Sequence, residues 1–154
     1  MSRILPAYHM DLWCDALRVL GRHLEADAPE AVRYVRLGGS FMQGYTSTPI
    51  GVAALTMCRL IGPRRTLLRM GRNFKQASNY LETEITELGP KELLIRTFTN
   101  ERFLARATDR THLVTDYRRG VLQEVLALLG AEGTVDIAEL HVDKQDVSFR
   151  VAWK

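Results

Sequence analysis

Four histidines, His9, His23, His112 and His141, are the side chains best suited to hold a metal or move a proton near neutral pH, but they are scattered along the chain. No Cys-x-x-Cys, His-x-x-x-His or carboxylate cluster supplies the ligand spacing of a zinc or hard-cation site. Cys14 and Cys58 each fall inside an apolar helical pattern and are expected to pack as small hydrophobes rather than to pair. There is no Gly-x-Ser-x-Gly elbow, and no histidine sits where it would activate a serine or cysteine. Gly38-Gly39-Ser40 with Gly44 invites a phosphate-loop reading. It lacks the Gly-Lys-Ser/Thr ending and follows no strand, so a bend or close helix packing explains it better. Glu82 and Glu84 share the wet face of a strand, where solvation is the ordinary role of a carboxylate. No recognisable catalytic apparatus is present, so an enzyme is unsupported rather than excluded, and no cofactor or metal is expected.

The most distinctive chemistry is basic. Arg64, Arg65, Arg69, Arg72 and Lys75 fall within twelve residues, and Arg65, Arg69 and Arg72 follow i, i+4, i+7 spacing. They form one positive stripe on a short helix, opposite Leu67, Leu68 and Met70. Arginine forks suit phosphates and carboxylates, so the stripe is either a solvated face, neutralised in part by Glu82 and Glu84, or an anion-binding site. No recognition-helix pattern or row of stacking aromatics accompanies it, so direct readout of nucleic-acid sequence is not expected. A second candidate is aromatic. Trp13, Phe41, Tyr45 and Phe74 sit at helical spacings, where packing in the core is the ordinary role of an aromatic ring.

The elements that must position these groups are legible from apolar rhythm. Leu12, Ala16, Leu20 and Leu24, with Trp13 and Leu17 beside them, make one stripe of a helix that Asp11 could cap. A second helix is predicted from Pro29, with Asp27 as a possible cap, to about Tyr45. Ser47-Thr48-Pro49 reads as a helix start, with a hydroxyl cap and then proline at the first helical position. The segment from Ile50 to Ile61 is apolar almost all round, which places it centrally in a core or in an oligomer interface. Gly62-Pro63 ends it, and the basic helix runs from Arg64 to about Phe74.

Near position 79 the period changes from 3.6 to 2. Tyr80 to Leu88 and Glu92 to Thr99 flank Gly89-Pro90-Lys91 as a hairpin, with Leu81, Thr83 and Ile85 on its buried face. The stretch 100–115 reads as irregular, and Tyr117 to Leu129 as an amphipathic helix stopped by Gly130. Val135 to Val142 and Val147 to Trp153 form a second hairpin. The expected fold class is therefore α+β: an N-terminal helical half packed on an antiparallel sheet of about four strands, made of two hairpins separated by one helix.

Residues 1–154 are expected to form one domain, with 1–78 mainly helical and 79–154 arranged as hairpin, loop, helix, hairpin. A chain of 154 residues with 46% hydrophobic and 25% charged residues suits one globular unit and excludes a disordered one. No apolar run approaches the ~18 residues of a spanning helix, so no membrane insertion is expected. The opening residues do not read as a secretory signal, which points to the cytoplasm. A net charge of +3 is too mild to mark a nucleic-acid binder by itself.

Several segments, taken in order, carry a resemblance. They are Leu37-Gly38-Gly39-Ser40-Phe41-Met42-Gln43-Gly44-Tyr45, Leu60-Ile61-Gly62-Pro63-Arg64-Arg65, Arg72-Asn73-Phe74, Glu87-Leu88-Gly89-Pro90, Tyr117-Arg118-Arg119-Gly120-Val121-Leu122 and Val147-Ser148-Phe149-Arg150-Val151-Ala152-Trp153. The chain resembles the myxobacterial paralogous family of unknown function, with its "GxxFxxGY" stretch and "GPRR", over roughly residues 5 to 153. More distantly, the closing helix and hairpin are similar to the vinyl-four-reductase domain. That superfamily includes the haem-nitric-oxide-binding sensors and the vesicle-tethering transport-particle subunits. The resemblance implies an α+β fold that tends to dimerise through helices and can enclose an apolar ligand pocket, lined in this chain by Trp13, Phe41, Tyr45 and Phe74. The haem sensors' "YxSxR" motif has no match here, and both cysteines lie too early for the late zinc cluster of the aromatic-sensing members, so neither haem nor zinc carries over. The expected function is a non-enzymatic sensory or adaptor domain that binds a small apolar ligand or a protein partner, such as a signalling protein, as a homodimer. The alternative is an anion- or nucleic-acid-binding module using the stripe from Arg64 to Lys75.

Overall fold

The computed structural model describes residues 10–77, 81–100 and 111–154, and the side chains of these residues other than Met10, Ala31 and 72–77. Along the chain run α1 (Met10–Leu24), α2 (Glu30–Thr46), α3 (Pro49–Ala77), β1 (Leu81–Gly89), β2 (Glu92–Thr99), α4 (Thr111–Leu128), β3 (Gly133–His141) and β4 (Asp146–Trp153). The strands form one antiparallel sheet in the order β1-β2-β4-β3, so each hairpin occupies one half and β2 meets β4 in the middle. This is the expected α+β architecture.

Helix α4 organises the interior because it is apolar on two sides. Toward α1 and α2, Leu113, Val114, Tyr117 and Val121 meet Cys14, Leu17, Tyr34 and Leu37. Toward the sheet, Leu122, Val125 and Leu126 meet Leu67 of α3 and the strand residues Leu93, Ile95, Val135, Val147, Phe149 and Val151. Met42 touches both clusters.

Two glycines let α2 reach α4. A Cβ on Gly38 would lie 2.1 Å from the Tyr117 carbonyl oxygen, and one on Gly120 would lie 1.9 Å from the Val35 carbonyl oxygen. The helices therefore meet backbone to backbone, which is the close approach expected of Gly38-Gly39.

Helix starts and breaks follow local chemistry. The Thr48 hydroxyl accepts the Gly51 amide at 3.0 Å and so caps α3, with Pro49 at the first helical position. Inside α3, Gly62 has φ 79° and ψ 169°, a conformation nearly confined to glycine, and it divides the rod into an apolar arm and a basic arm as predicted. The Thr66 hydroxyl bridges the break by donating to the Cys58 carbonyl at 3.1 Å.

Several expectations need correction. Along α1 the core receives Trp13, Cys14 and Leu17, while Leu12, Leu20 and Leu24 are exposed; the buried line is the neighbouring one. Pro29 stands at the N-cap of α2 with no side-chain cap, so Asp27 does not serve there. Helix α4 already runs from Thr111, ahead of the expected Tyr117, because Leu113 and Val114 extend its buried face and the Thr111 hydroxyl donates to the Val142 carbonyl at 3.1 Å. The apolar arm of α3 is not central: Ile50, Val52, Met57 and Leu60 face outward.

Candidate functional site

Of the four aromatic candidates, the structure brings two together. The Trp13 ring meets Tyr117 edge-on at 5.7 Å between centroids and 83°, and Phe41 meets the same ring at 6.1 Å and 54°. These are attractive edge and tilted geometries, so the rings pack on one another. Tyr117, which spacing alone did not single out, is the hub. It lies within the buried stripe Leu113, Tyr117, Val121, and that i, i+4 pattern was the available signal. Phe41 remains 54% exposed, and Tyr45, one turn further along α2, is 41% exposed. The Phe74 side chain lies outside the described residues. Between α4 and the sheet, Leu67, Leu93, Phe149 and Val151 have no measurable exposure.

The basic stripe is only partly available. Arg64 donates from Nε to Glu87 Oε2 at 2.7 Å and from Nη2 to the same oxygen, which ties it to the end of β1. Arg65 and Arg69 are exposed and form no ion pair with a described residue. The side chains of Arg72 and Lys75 lie outside the described residues. Among the described residues Glu84 pairs with Arg96 rather than with Arg64, Arg65 or Arg69, its Oε2 accepting Nη1 at 3.1 Å. Arg96 in turn reaches the buried Asp146 across the sheet, with Nη2 to Oδ2 at 2.6 Å. That Glu84–Arg96–Asp146 chain joins residues far apart in sequence and was not foreseen.

A third feature is apolar. From Pro49 to Cys58 the first arm of α3 carries no charged residue. Its half-buried side, Ala54, Leu55, Cys58 and Ile61, is turned toward the body of the protein. Its other side presents Ile50 at 75%, Val52 at 53%, Met57 at 56% and Leu60 at 77% exposure. Arg59, just beyond, donates from Nε to the Leu128 carbonyl at 2.9 Å and pins the arm to the end of α4.

Among the described residues, other polar groups pair locally at the surface. A surface groove of about 350 Å³ crosses α2 and α4, where Ser40 donates to Glu25 at 3.0 Å and Gln43 donates to Glu124 at 3.1 Å. Burial pushes the Asp116 carboxyl above its usual range, opposed by the charges of Arg119 and His112. Among the described residues, no group of three or more His, Cys, Asp or Glu side chains could hold a metal, and no helix is long and apolar enough to cross a membrane.

Comparison with known proteins places this geometry in a wider setting. A family model described as a protein of unknown function, DUF2378, matches residues 2–154. Curated protein sequences give no match. Among solved structures, the Fe(II) unliganded H-NOX protein mutant A71G from K. algicida is similar at TM-score 0.57 and 12% identity, over 97% of this chain and 76% of that one. An H-NOX structure from a study of haem distortion reaches TM-score 0.66 at 11% identity, over 91% and 71%. The trafficking protein particle complex subunit 3 from Naegleria fowleri, covalently bound to palmitic acid, gives TM-score 0.54 at 14% identity and 93% of both chains. At these identities the likeness concerns the fold.

Proposed function

The chain belongs to the DUF2378 family, proteins of unknown function, and we propose that it is a non-enzymatic adaptor domain that docks a protein partner, as a homodimer, through the outward face of α3. The observation that carries this reading is the uncharged arm from Pro49 to Cys58, with Ile50, Val52, Met57 and Leu60 more than half exposed. Covering one such side chain is worth about 1.5–3 kcal/mol, so Ile50, Met57 and Leu60, left in water along one stripe, mark a docking surface. Sedimentation velocity across a concentration series is expected to show reversible self-association that Leu60→Glu weakens on the order of tenfold. A monomer at high protein concentration overturns the reading.

Helices α2 and α4 touch through the Gly38 and Gly120 positions, and the layer between α4 and the sheet is filled by side chains. Protein docking is thus better supported than a small apolar ligand inside.

One observation favours a second reading: Arg65 and Arg69 point into solvent and no described side chain pairs with either. An anion-binding module of this kind would be retained on heparin in a salt-dependent way. Retention unaffected by combined Arg65→Glu, Arg69→Glu and Arg72→Glu would refute it.

A further inference from the structure

We infer that the face of α3 is built for a second copy of this chain packed antiparallel, with the two α3 arms crossing about a two-fold axis at the level of Leu55. The inference rests on the docking reading above and adds the arrangement. Ile50, Ala53, Met57 and Leu60 are spaced three, four and three residues apart, the period of a helix-to-helix seam, and all four are exposed. They occupy a narrow stripe, while the half-buried Ala54, Leu55, Cys58 and Ile61 turn to the body of the protein. The arm thus has one side committed to its own chain and one side free.

The three-four-three spacing of the free side is the same in both directions. Inverted about position 55, Ile50 falls opposite Leu60 and Ala53 opposite Met57. Large residues meet at the two ends, and near the axis the smallest residue meets the longest and most pliable one. A parallel pairing would instead set alanine against alanine, leaving a gap, and methionine against methionine, doubling the bulk. A two-fold interface needs this self-complementarity, because each residue's partner is supplied by the same patch.

Charge agrees with the arrangement. No ionised side chain lies between Pro49 and Cys58, so no like charges meet across the axis. The first cation beyond, Arg59, is drawn back to the Leu128 carbonyl, and Arg64 is held by Glu87. The turn at Gly62 ends the straight run just after Leu60 and sets the seam's length at about 15 Å, from the ~1.5 Å rise per residue. So short a seam buries less than about 1,200 Å², the range of weak, reversible association.

The test mixes two chains. Chains carrying Ile50→Lys and chains carrying Leu60→Glu are each expected to self-associate on the order of tenfold more weakly than the parent, whereas the mixture regains association because lysine and glutamate meet across the axis. In a Cys58→Ser background, Ala53→Cys chains oxidised together with Met57→Cys chains should give cross-linked heterodimers in higher yield than either variant alone. A parent that dimerises, with no rescue on mixing and with cross-linking strongest within a single variant, overturns the antiparallel arrangement and leaves the docking reading standing. A parent that sediments as a monomer and a mixture that stays monomeric overturn both.

Discussion

Adjacent glycines on α2 should answer the same substitution with opposite signs. Replacing a helix-interior glycine by alanine gains about 1 kcal/mol of helix propensity. At Gly39 nothing opposes that gain, since the new methyl would sit 3.6 Å from Glu124 Oε2, an ordinary contact. At Gly38 the methyl would lie 2.1 Å from the Tyr117 carbonyl oxygen and 2.9 Å from the Val121 amide nitrogen. Both obstacles are backbone, so no rotamer change relieves them, and α2 and α4 must part by about 1 Å to restore normal contact. Separation loosens Tyr34, Leu37, Tyr117 and Val121 together, which puts the cost at about 2–3 kcal/mol, the upper part of the range for overpacking. Net of propensity, Gly38→Ala should lose about 1–2 kcal/mol and Gly39→Ala should gain up to about 1 kcal/mol. In thermal unfolding followed by circular dichroism, that is a fall of roughly 2–8 °C against a rise of roughly 2–4 °C for a chain of this size. Gly120→Ala should fall like Gly38→Ala, and the double variant should lose less than the sum, because helices already parted accommodate the second methyl. Equal effects at Gly38 and Gly39, or a Gly38→Ala variant as stable as its parent, would refute the close-packed crossing.

Other outcomes follow from single features. Gly62→Ala has room for its methyl but not a permitted backbone, so about 1–3 kcal/mol should be lost in urea titration. Thr48→Ala removes the acceptor of the Gly51 amide and should cost about 1 kcal/mol, read as a lower urea midpoint at unchanged slope. The Asp116 carboxyl has a folded-state pKa above its usual 3.8, so the folded protein binds more protons than the unfolded chain over that window. Its contribution is complete below 3.8 and is lost as pH rises through the raised value. Asp116→Asn should therefore be more stable than the parent at neutral pH, with the difference vanishing in acid; equal stabilities at neutral pH would count against the burial cause.

Much of this architecture was legible where local chemistry decides it. Thr48-Pro49, Gly62-Pro63 and the alternation of Glu92–Thr99 each carry their instruction within a few residues, and the elements begin and end there. What escaped depends on partners distant in sequence. The first two turns of α4 look polar, yet Thr111 becomes a good buried residue once the Val142 carbonyl is beside it. The apolar residues of α1 form two neighbouring lines, and only docking against Tyr34, Tyr117 and Val121 selects Cys14 and Leu17 over Leu12 and Leu20. At the candidate sites, sequence supplied the arginines and the uncharged arm. It did not show that Glu87, 23 residues from Arg64, withdraws that arginine, nor that the arm faces outward.

The double-sided burial of α4 has a kinetic corollary. Amide hydrogens in its central turns, around Val121 to Val125, can reach solvent only when both apolar clusters open, so they should be the slowest to exchange with deuterium and should report global unfolding. Helix α1 rests on one cluster alone, with Leu12, Val19, Leu20 and Leu24 already in water, and should be the first element to come away. The protein would then open from its N-terminal helix inward, keeping α4 and the sheet as the last structure to melt.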